Sequence, residues 1–261
     1  MRKTTIIYLL LFASVTLFAQ NKTIDSLLLV LKKTTNDIDK VTTLNSLSDN
    51  YKVSDAKKMF FYGNQALVLA KKINFKVAEG NALLNIGNSK IIEGDYKLAL
   101  DNFQKAQDLF EKEIPTPNTQ KDIDLGLAKA YGSIGIVLSE QSNYSKALHY
   151  YLKSVKIYEK LKDYLRCSKL YNNIGVIYKS EKSDFKALEF FSKAEKIQLS
   201  LEDENIAITQ TNIANIYLNQ NNTDKAQSYY NLAKTSLEKY PNPRALGEWY
   251  NNIGLYYLNS N

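Results

Sequence analysis

The stretch Asn173-Ile174-Gly175 decides the fold, because close variants of it return along the chain at a nearly constant interval. The variants are Asn85-Ile86-Gly87, Ser133-Ile134-Gly135, Asn212-Ile213-Ala214 and Asn252-Ile253-Gly254. Their small last residues stand at 87, 135, 175, 214 and 254, so the successive steps are 48, 40, 39 and 40 residues. A fixed period of this size is typical of a solenoid, in which each unit buries its apolar face by stacking on its neighbours.

Each unit has the pattern of two helices joined by a polar turn, and residues 164–202 show it most clearly. Apolar residues there recur at spacings of 3, 4 and 7, which indicates a helical stripe. In four units an alanine follows the small residue by 12 positions, as Ala187 follows Gly175. We expect Gly175 and Ala187 to meet where their helices cross, since larger side chains would hold the helices apart. An aromatic four residues further on is expected to fill the wedge to the next repeat, namely Phe103, Tyr151, Phe191 and Tyr230.

These residues resemble the tetratricopeptide repeat, whose first helix carries an apolar–Gly pair and a Tyr, and whose second carries Ala, an aromatic and Ala. The resemblance is good in residues 84–112, 132–160, 172–200 and 211–239, and weaker in residues 44–72. It implies an all-α fold, a right-handed α-solenoid of about five helix hairpins plus a final unpaired helix. The period is longer than the family's usual ~34 residues, and Ile114–Asn118 is an inserted loop.

The pattern predicts a signal peptide in 1–19, an amphipathic helix in 20–36 and the repeat array in 37–261. Repeats are expected near 37–73, 77–113, 122–162, 164–202 and 204–240, with a partial repeat at 244–259. The partial repeat has Gly254 on a first-helix pattern but no alanine-bearing second helix after it. Two interpretations stay open: this helix caps the array, or the chain is a piece of something longer.

The N-terminus has the three parts of a secretory signal peptide: a basic start, an apolar run from Ile6 to Ala19, and a small residue before the predicted cut after Ala19. The run is shorter than the ~20 residues that a membrane-spanning helix needs, although an uncleaved anchor is the alternative. The interpretation predicts export to the periplasm. The full chain has a net charge of +7, and removal of Arg2 and Lys3 with the signal peptide gives a mature net charge of +5.

Several classes of function find no support in the sequence. Of 34 basic residues only three are arginines, the residue type that reads bases and phosphates best, so we expect no nucleic-acid binding. The chain has one cysteine, Cys167, and one histidine, His149, so it can form neither an intramolecular disulfide nor a zinc site built from histidine and cysteine ligands. No base and nucleophile are grouped in the sequence. We therefore predict no enzyme activity, no catalytic residue, no metal site and no cofactor.

The candidate binding residues lie on the first helices. The resemblance to the tetratricopeptide repeat implies that these helices line a groove. The recurring asparagines offer both a donor and an acceptor to the backbone of an extended peptide, and the lysines could meet acidic side chains or a C-terminal carboxylate. The alternative for the asparagines is a structural ladder between adjacent helices. The candidates are Asn85, Lys129, Lys169, Asn172, Asn173, Lys179, Asn212, Asn251 and Asn252.

These features favour a non-enzymatic, exported module that binds a peptide or protein segment. Long-period repeats behind a signal peptide resemble the sensory halves of bacterial membrane-bound histidine kinases and related regulators, which implies a role in signal transduction. The alternative is a stand-alone periplasmic scaffold for envelope complexes. Membrane attachment is expected only if a transmembrane segment follows Asn261 or the signal remains uncleaved. The coding sequence beyond Asn261 separates the two hypotheses.

Overall fold

The computed structural model describes residues 22–260, and the secondary structure of that range is helical, without a strand. The predicted signal peptide, residues 1–19, lies outside the described residues. The early helices are α1 (22–33), α2 (Asp37–Asn50), α3 (Ala56–Lys72), α4 (Lys76–Ile92), α5 (Tyr96–Lys112) and α6 (Gln120–Glu140), with a 3₁₀ turn at Tyr51–Val53. The later ones are α7 (Tyr144–Lys160), α8 (Tyr164–Ser180), α9 (Asp184–Leu201), α10 (Ile206–Asn219), α11 (Thr223–Lys239) and α12 (Pro243–Ser260).

The helices form antiparallel hairpins within two compact units, which divide between residues 161 and 162. The first unit contains the pairs α2/α3, α4/α5 and α6/α7, and the second contains α8/α9 and α10/α11, followed by α12. The predicted all-α fold of five hairpins and a final unpaired helix is thereby confirmed. In the described range, no helix is both long and apolar enough to span a bilayer.

In four of the five hairpins, from α4/α5 to α10/α11, the short turn contains one left-handed residue followed by a polar N-cap residue. Gly94 has φ 79°, a conformation that costs glycine little, and Ser142, Lys182 and Asn221 take φ between 57° and 58° at the equivalent places. The next helix then starts with a side-chain cap in several hairpins; the Asp95 carboxylate, for example, accepts from the Leu98 amide at 3.0 Å. These turns coincide with polar segments of the sequence, such as Glu93–Asp95 and Gln141–Asn143.

In the hairpins α4/α5, α6/α7 and α8/α9, the glycine of the first helix is covered by an aromatic ring of the second helix, 16 positions further on. A Cβ built on Gly175 would lie 2.6 Å from Phe191 Cε1, and one on Gly135 would lie 2.5 Å from Tyr151 Cδ1. The three atoms nearest to a Cβ built on Gly175 therefore all belong to the Phe191 ring. The small residue makes room for an aromatic ring of its own hairpin. The ring also reaches the next repeat, since Phe191 packs with Ile213 and Ile216.

Phe110 provides the tightest example of this packing in the first unit. Its ring, which is only 2% exposed, lies between Gly80 on α4 and Gly126 on α6. A Cβ on Gly80 would stand 2.5 Å from Phe110 Cζ, and a Cβ on Gly126 would also overlap that ring. Phe110 of α5 thus joins one hairpin to the next, and the close packing requires glycine on both sides of its ring.

At two hairpin turns a tyrosine and a lysine form a cation–π pair. Lys186 Nζ lies 5.2 Å from the Tyr178 ring centroid, and Lys225 Nζ lies 5.0 Å from that of Tyr217. In both pairs the tyrosine is near the end of a first helix and the lysine near the start of the second. Cation–π contacts of this kind contribute about 0.5–1 kcal/mol each at exposed sites. They account for part of the tyrosine-rich, lysine-rich composition.

The final helix packs on its unit through one face. Trp249 Nε1 donates to the backbone oxygen of Tyr230 at 2.9 Å, and the Tyr230 and Tyr256 ring centroids are 5.6 Å apart. The opposite face includes Gly254, where an added Cβ would meet no atom within 4 Å, and the exposed Tyr257. α12 therefore shares the first-helix sequence pattern but lacks the covering ring that the earlier glycines have.

Candidate functional site

The candidate site is built on the first helices of the second unit. α10 contacts both α8 and α12, so these three helices lie side by side. Polar residues on them point into a cavity of about 410 Å³. The cavity is lined by Lys179, Ser180, Asn215, Leu218, Asn219, Tyr230 and Asn252. A pocket of this size and polarity can hold one side chain or chain end of a peptide.

Lys179 is the cation of this cavity. Its ammonium donates to Asn212 Oδ1 at 2.7 Å, and this is its one hydrogen bond within residues 22–260. Burial lowers the pKa of Lys179, and the negative charge of Glu248 opposes that shift. In the described part of the chain Lys179 forms no ion pair with a carboxylate, and Glu248 Oε1 accepts from Arg244 Nε at 3.0 Å. Lys179 is thus half-buried beside a neutral partner.

A chain of hydrogen bonds fixes the amide wall of the cavity. Tyr230 OH donates to Asn215 Oδ1 at 2.5 Å, and Asn215 Nδ2 donates to Asn252 Oδ1 at 2.9 Å. Asn252 Nδ2 in turn donates to the backbone oxygen of Glu248 at 2.7 Å. Burial, together with the nearby Tyr256, raises the pKa of Tyr230 to about 12, so this phenol remains a proton donor at neutral pH. The wall is consequently ordered before any ligand arrives.

The structure brings some of the sequence-predicted residues of this unit together and leaves others apart. Lys179 and Asn252 line the cavity, and Asn212 holds the Lys179 ammonium. Asn172 Oδ1 accepts from Thr209 Oγ1 at 3.2 Å, which is a bond between adjacent first helices. The remaining candidates do not line the cavity: Asn173 is half-buried, whereas Lys169 and Asn251 are exposed.

The two candidates of the first unit lie in a different setting. Asn85 is buried, and its Nδ2 donates to the backbone oxygen of Asn45 at 3.0 Å. Asn45 Nδ2 donates in the same way to the backbone oxygen of Ala78 at 3.0 Å. These bonds link α2 to α4, so Asn85 joins adjacent helices, as the alternative interpretation of the asparagines describes. Lys129 is half-buried on α6.

Five lining residues were not among the sequence candidates: Ser180, Asn215, Leu218, Asn219 and Tyr230. A signal for two of them was present, because Asn212, Asn215 and Asn219 follow one another at spacings of 3 and 4 and so share a helix face. Tyr230 carried no such signal, since its sequence position marked it only as a packing aromatic. Its hydroxyl reaches the cavity while its ring covers Ala214.

The residues tied to catalysis or metal binding remain dispersed in the described range. His149 is exposed on α7 and Cys167 is buried on α8. Among residues 22–260, no group of three or more His, Cys, Asp or Glu side chains is placed to hold a metal ion.

A second polar cluster connects α9, α10 and α11. Gln210 Nε2 donates to Glu195 Oε1 at 3.2 Å, and Ser236 Oγ donates to Gln210 Oε1 at 2.8 Å. Burial raises the pKa of Glu195, although the hydrogen bond from Gln210 lowers it in part. The folded state therefore binds a proton at Glu195 more tightly than the unfolded chain does. As pH rises above the ordinary glutamate pKa, the contribution of Glu195 to the free energy of unfolding decreases.

We expect Glu195→Gln to raise the free energy of unfolding at neutral pH, because a neutral amide keeps the acceptor for Gln210 and avoids burying a charge. The gain should shrink as pH falls and vanish below the ordinary glutamate pKa, where the wild-type carboxyl is protonated in both states. Urea unfolding across that pH range measures it. Glu189→Gln, on the exposed side of α9, is the control and should change stability by less than about 1 kcal/mol. A Glu195→Gln protein that is less stable at neutral pH would contradict this account of the cluster.

The repeated hairpins and the cavity between first helices define a helical-repeat protein of the solenoid class. Family models of the tetratricopeptide repeat match residues 126–200 and residues 207–236. The chain therefore carries tetratricopeptide repeats in these two segments. No curated protein matches the chain in sequence.

Solved structures support the same fold. BtubC (BKLC) from P. vanneervenii is 17% identical with a TM-score of 0.69, over 86% of this chain and 95% of its own. The apo form of RapI is 13% identical with a TM-score of 0.67, over 91% of this chain and 65% of RapI. A Rap protein complexed with competence and sporulation factor is 14% identical with a TM-score of 0.65, over 95% of this chain and 73% of that protein. At these identities the likeness is one of fold.

Proposed function

We propose that the chain is an exported, non-catalytic module that binds a peptide or protein segment as the sensory or scaffolding part of a signalling system. The tetratricopeptide fold supports protein binding in general terms. The observation that carries the proposal is the polar cavity between α8, α10 and α12, where the half-buried Lys179 has only an amide for a partner. Burying a lysine without a counter-charge costs stability, which a binding role explains and a purely structural role does not.

Two further observations support parts of this proposal. One of the structural neighbours, a Rap protein, was solved in complex with competence and sporulation factor. This shows that a related repeat fold can hold a partner, and we extend that property to this chain as a proposal. The export proposal depends on the N-terminal sequence, in which cleavage after Ala19 would leave Gln20 first; N-terminal sequencing of exported chain checks it.

Selection from a peptide library displayed on phage, with residues 20–261 as bait, tests the binding proposal. We expect selected peptides to bind the wild-type chain and to lose at least about tenfold in affinity, about 1.4 kcal/mol, when Asn219→Trp fills the mouth of the cavity. Asn219 is exposed and lines the cavity, so the substitution blocks space without removing the hydrogen-bonded wall.

Ser228→Trp is the matched control, because Ser228 is exposed on α11 and does not line the cavity. Its affinity for the same peptides should equal that of the wild type. Selection that yields no binding peptide, or peptides that bind the Asn219→Trp and Ser228→Trp proteins equally, would refute the proposed site.

A further inference from the structure

The outer face of α3 exposes two large apolar side chains to solvent. Phe61 is 54% exposed and Val68 is 62% exposed. The two residues are seven positions apart, so they lie on the same side of the helix, about 10 Å apart along its axis. A single exposed apolar residue is ordinary on a soluble protein, whereas two on one stripe form a patch that a partner can cover.

This side of α3 is turned away from the core. The buried residues of the helix include Met59, Gly63, Ala66 and Ala70. With 3.6 residues per turn, these four positions point to one side of the helix, and Phe61 and Val68 point to the opposite side. α3 packs on α2 and α4, and the exposed fractions of the two side chains show that no helix of residues 22–260 covers them.

Lysines stand at both ends of the same stripe. Its members follow one another at spacings of 4, 3, 4 and 3, and all of them are exposed. We call this surface the α3 stripe; it consists of Lys57, Phe61, Asn64, Val68 and Lys71. Each end of the apolar pair therefore has a long cationic side chain, whose stem can lie along an apolar surface while its ammonium reaches a polar layer.

The charge of α3 also sets it apart from other second helices. It contains four lysines and no acidic residue, whereas α5 and α9 each contain three lysines and three acidic residues. The carboxylates of Asp55 and Asp37, outside the helix, lie 3.8 Å from the Lys58 ammonium and 4.0 Å from the Lys72 ammonium. Within residues 22–260, the two lysines of the α3 stripe form no ion pair. The stripe is thus a basic surface with an apolar centre.

An anionic lipid bilayer offers both kinds of contact that such a surface needs. Its negative headgroups attract ammonium groups, and the boundary between headgroups and acyl chains accepts aromatic and aliphatic side chains. Nucleic acid would match the lysines but would leave Phe61 and Val68 without a partner. A stable protein–protein interface needs about 20–30 residues a side, many more than the stripe provides.

We propose that the α3 stripe docks on an anionic lipid surface, with Phe61 and Val68 in the headgroup–acyl boundary and Lys57 and Lys71 on the lipid phosphates. This contact is peripheral, because the folded repeat lies on the bilayer and does not cross it. The inference goes beyond the proposed function, since it concerns a different helix and a different partner from the peptide cavity. The peptide selection can therefore fail while this inference stands, and the reverse also holds.

Flotation with lipid vesicles tests the inference. The chain of residues 20–261 is mixed with vesicles of equal parts phosphatidylglycerol and phosphatidylcholine, or of phosphatidylcholine alone. The apolar run of residues 6–19 is left out because it would bind bilayers by itself. We expect binding at low salt to be at least about tenfold stronger with the anionic vesicles. Salt at about 1 M, which shortens the screening length from about 10 Å to about 3 Å, should release most of the chain.

Removal of the apolar pair should weaken docking without changing the charge. Phe61→Gln combined with Val68→Gln is expected to lower the vesicle partition coefficient by at least about tenfold, since both side chains leave water on docking. Phe185→Gln is the control and should bind like the wild type, because Phe185 is 83% exposed on α9 and outside the α3 stripe. All three side chains are exposed, so these variants should keep the wild-type urea midpoint.

Reversal of the charge of the stripe should remove the preference for anionic vesicles. Lys57→Glu with Lys71→Glu is compared with Lys146→Glu with Lys156→Glu, a pair of exposed lysines on α7. Both pairs change the net charge equally, and the α7 pair should lower binding by less than about threefold.

Three results would overturn the inference: no binding to anionic vesicles, equal binding to the two kinds of vesicle, or equal losses in the stripe variants and their controls. Binding that survives the glutamine pair and is lost only with the glutamate pair would also overturn it, because that result describes a purely ionic surface, such as one for nucleic acid.

Discussion

Gly126→Ala is expected to lower the free energy of unfolding of the chain by about 1–3 kcal/mol, as other overpacking substitutions do. Alanine is the better helix former by about 1 kcal/mol, so a loss of stability has to come from packing. The cause is Phe110, whose ring lies between Gly80 and Gly126 and would overlap a Cβ on either one. Urea unfolding measures the change, and hydrogen exchange in α4–α6 shows where it acts.

Two companion variants make this expectation specific. Gly247→Ala, on α12, adds the same methyl group where no atom lies within 4 Å, so it should stabilise the chain or leave it unchanged. Gly126→Ala combined with Phe110→Leu should be less destabilising than the sum of the two, with a coupling of about 0.5–3 kcal/mol. An additive cycle, or a Gly126→Ala protein as stable as the Gly247→Ala protein, would contradict the packing described for Phe110.

Phe191→Ala should destabilise the second unit by about 3–5 kcal/mol, the range for removing a buried aromatic ring. Phe191 is fully buried, covers Gly175 and packs with Ile213 and Ile216 of the next first helix. The substitution therefore leaves a cavity within its hairpin and at the junction with α10. Loss of helical circular dichroism during urea unfolding reports the change.

The matched control lies on the same helix. Phe185 is 83% exposed, so Phe185→Ala should change stability by no more than about 0.5 kcal/mol. If the two substitutions cost the same, the assignment of Phe191 as the aromatic that joins successive repeats would be wrong.

The sequence predicted the helices well because their signals are local. The Asn-Ile-Gly phrase, the apolar spacing and the polar turns each arise within one unit, and the structure has its helices and turns where these signals lie. The residue that contacts the small residue was harder to predict from the sequence. An alanine 12 residues after the small residue and an aromatic 16 residues after it both recur in the sequence, and only the three-dimensional structure shows that Phe191 covers Gly175.

The candidate site was predictable in part, for a related reason. Lys179, Asn212 and Asn252 were found because they share the first-helix position that recurs in every unit. Asn85 shares that position too, yet it bonds to the backbone of Asn45, so equivalent places in the repeat need not have equivalent roles. Tyr230 was missed because one side chain serves both packing, through its ring, and the cavity wall, through its hydroxyl.

The central claim is that ligand binding occurs at the first-helix face of α8, α10 and α12. A crystal structure of residues 20–261 with the tightest peptide from the selection tests it most directly. The account predicts peptide density in the cavity, with an acceptor oxygen of the peptide at hydrogen-bond distance from Lys179 Nζ. Peptide density on the opposite side, along the second helices α9 and α11, with the cavity holding only solvent, would contradict it.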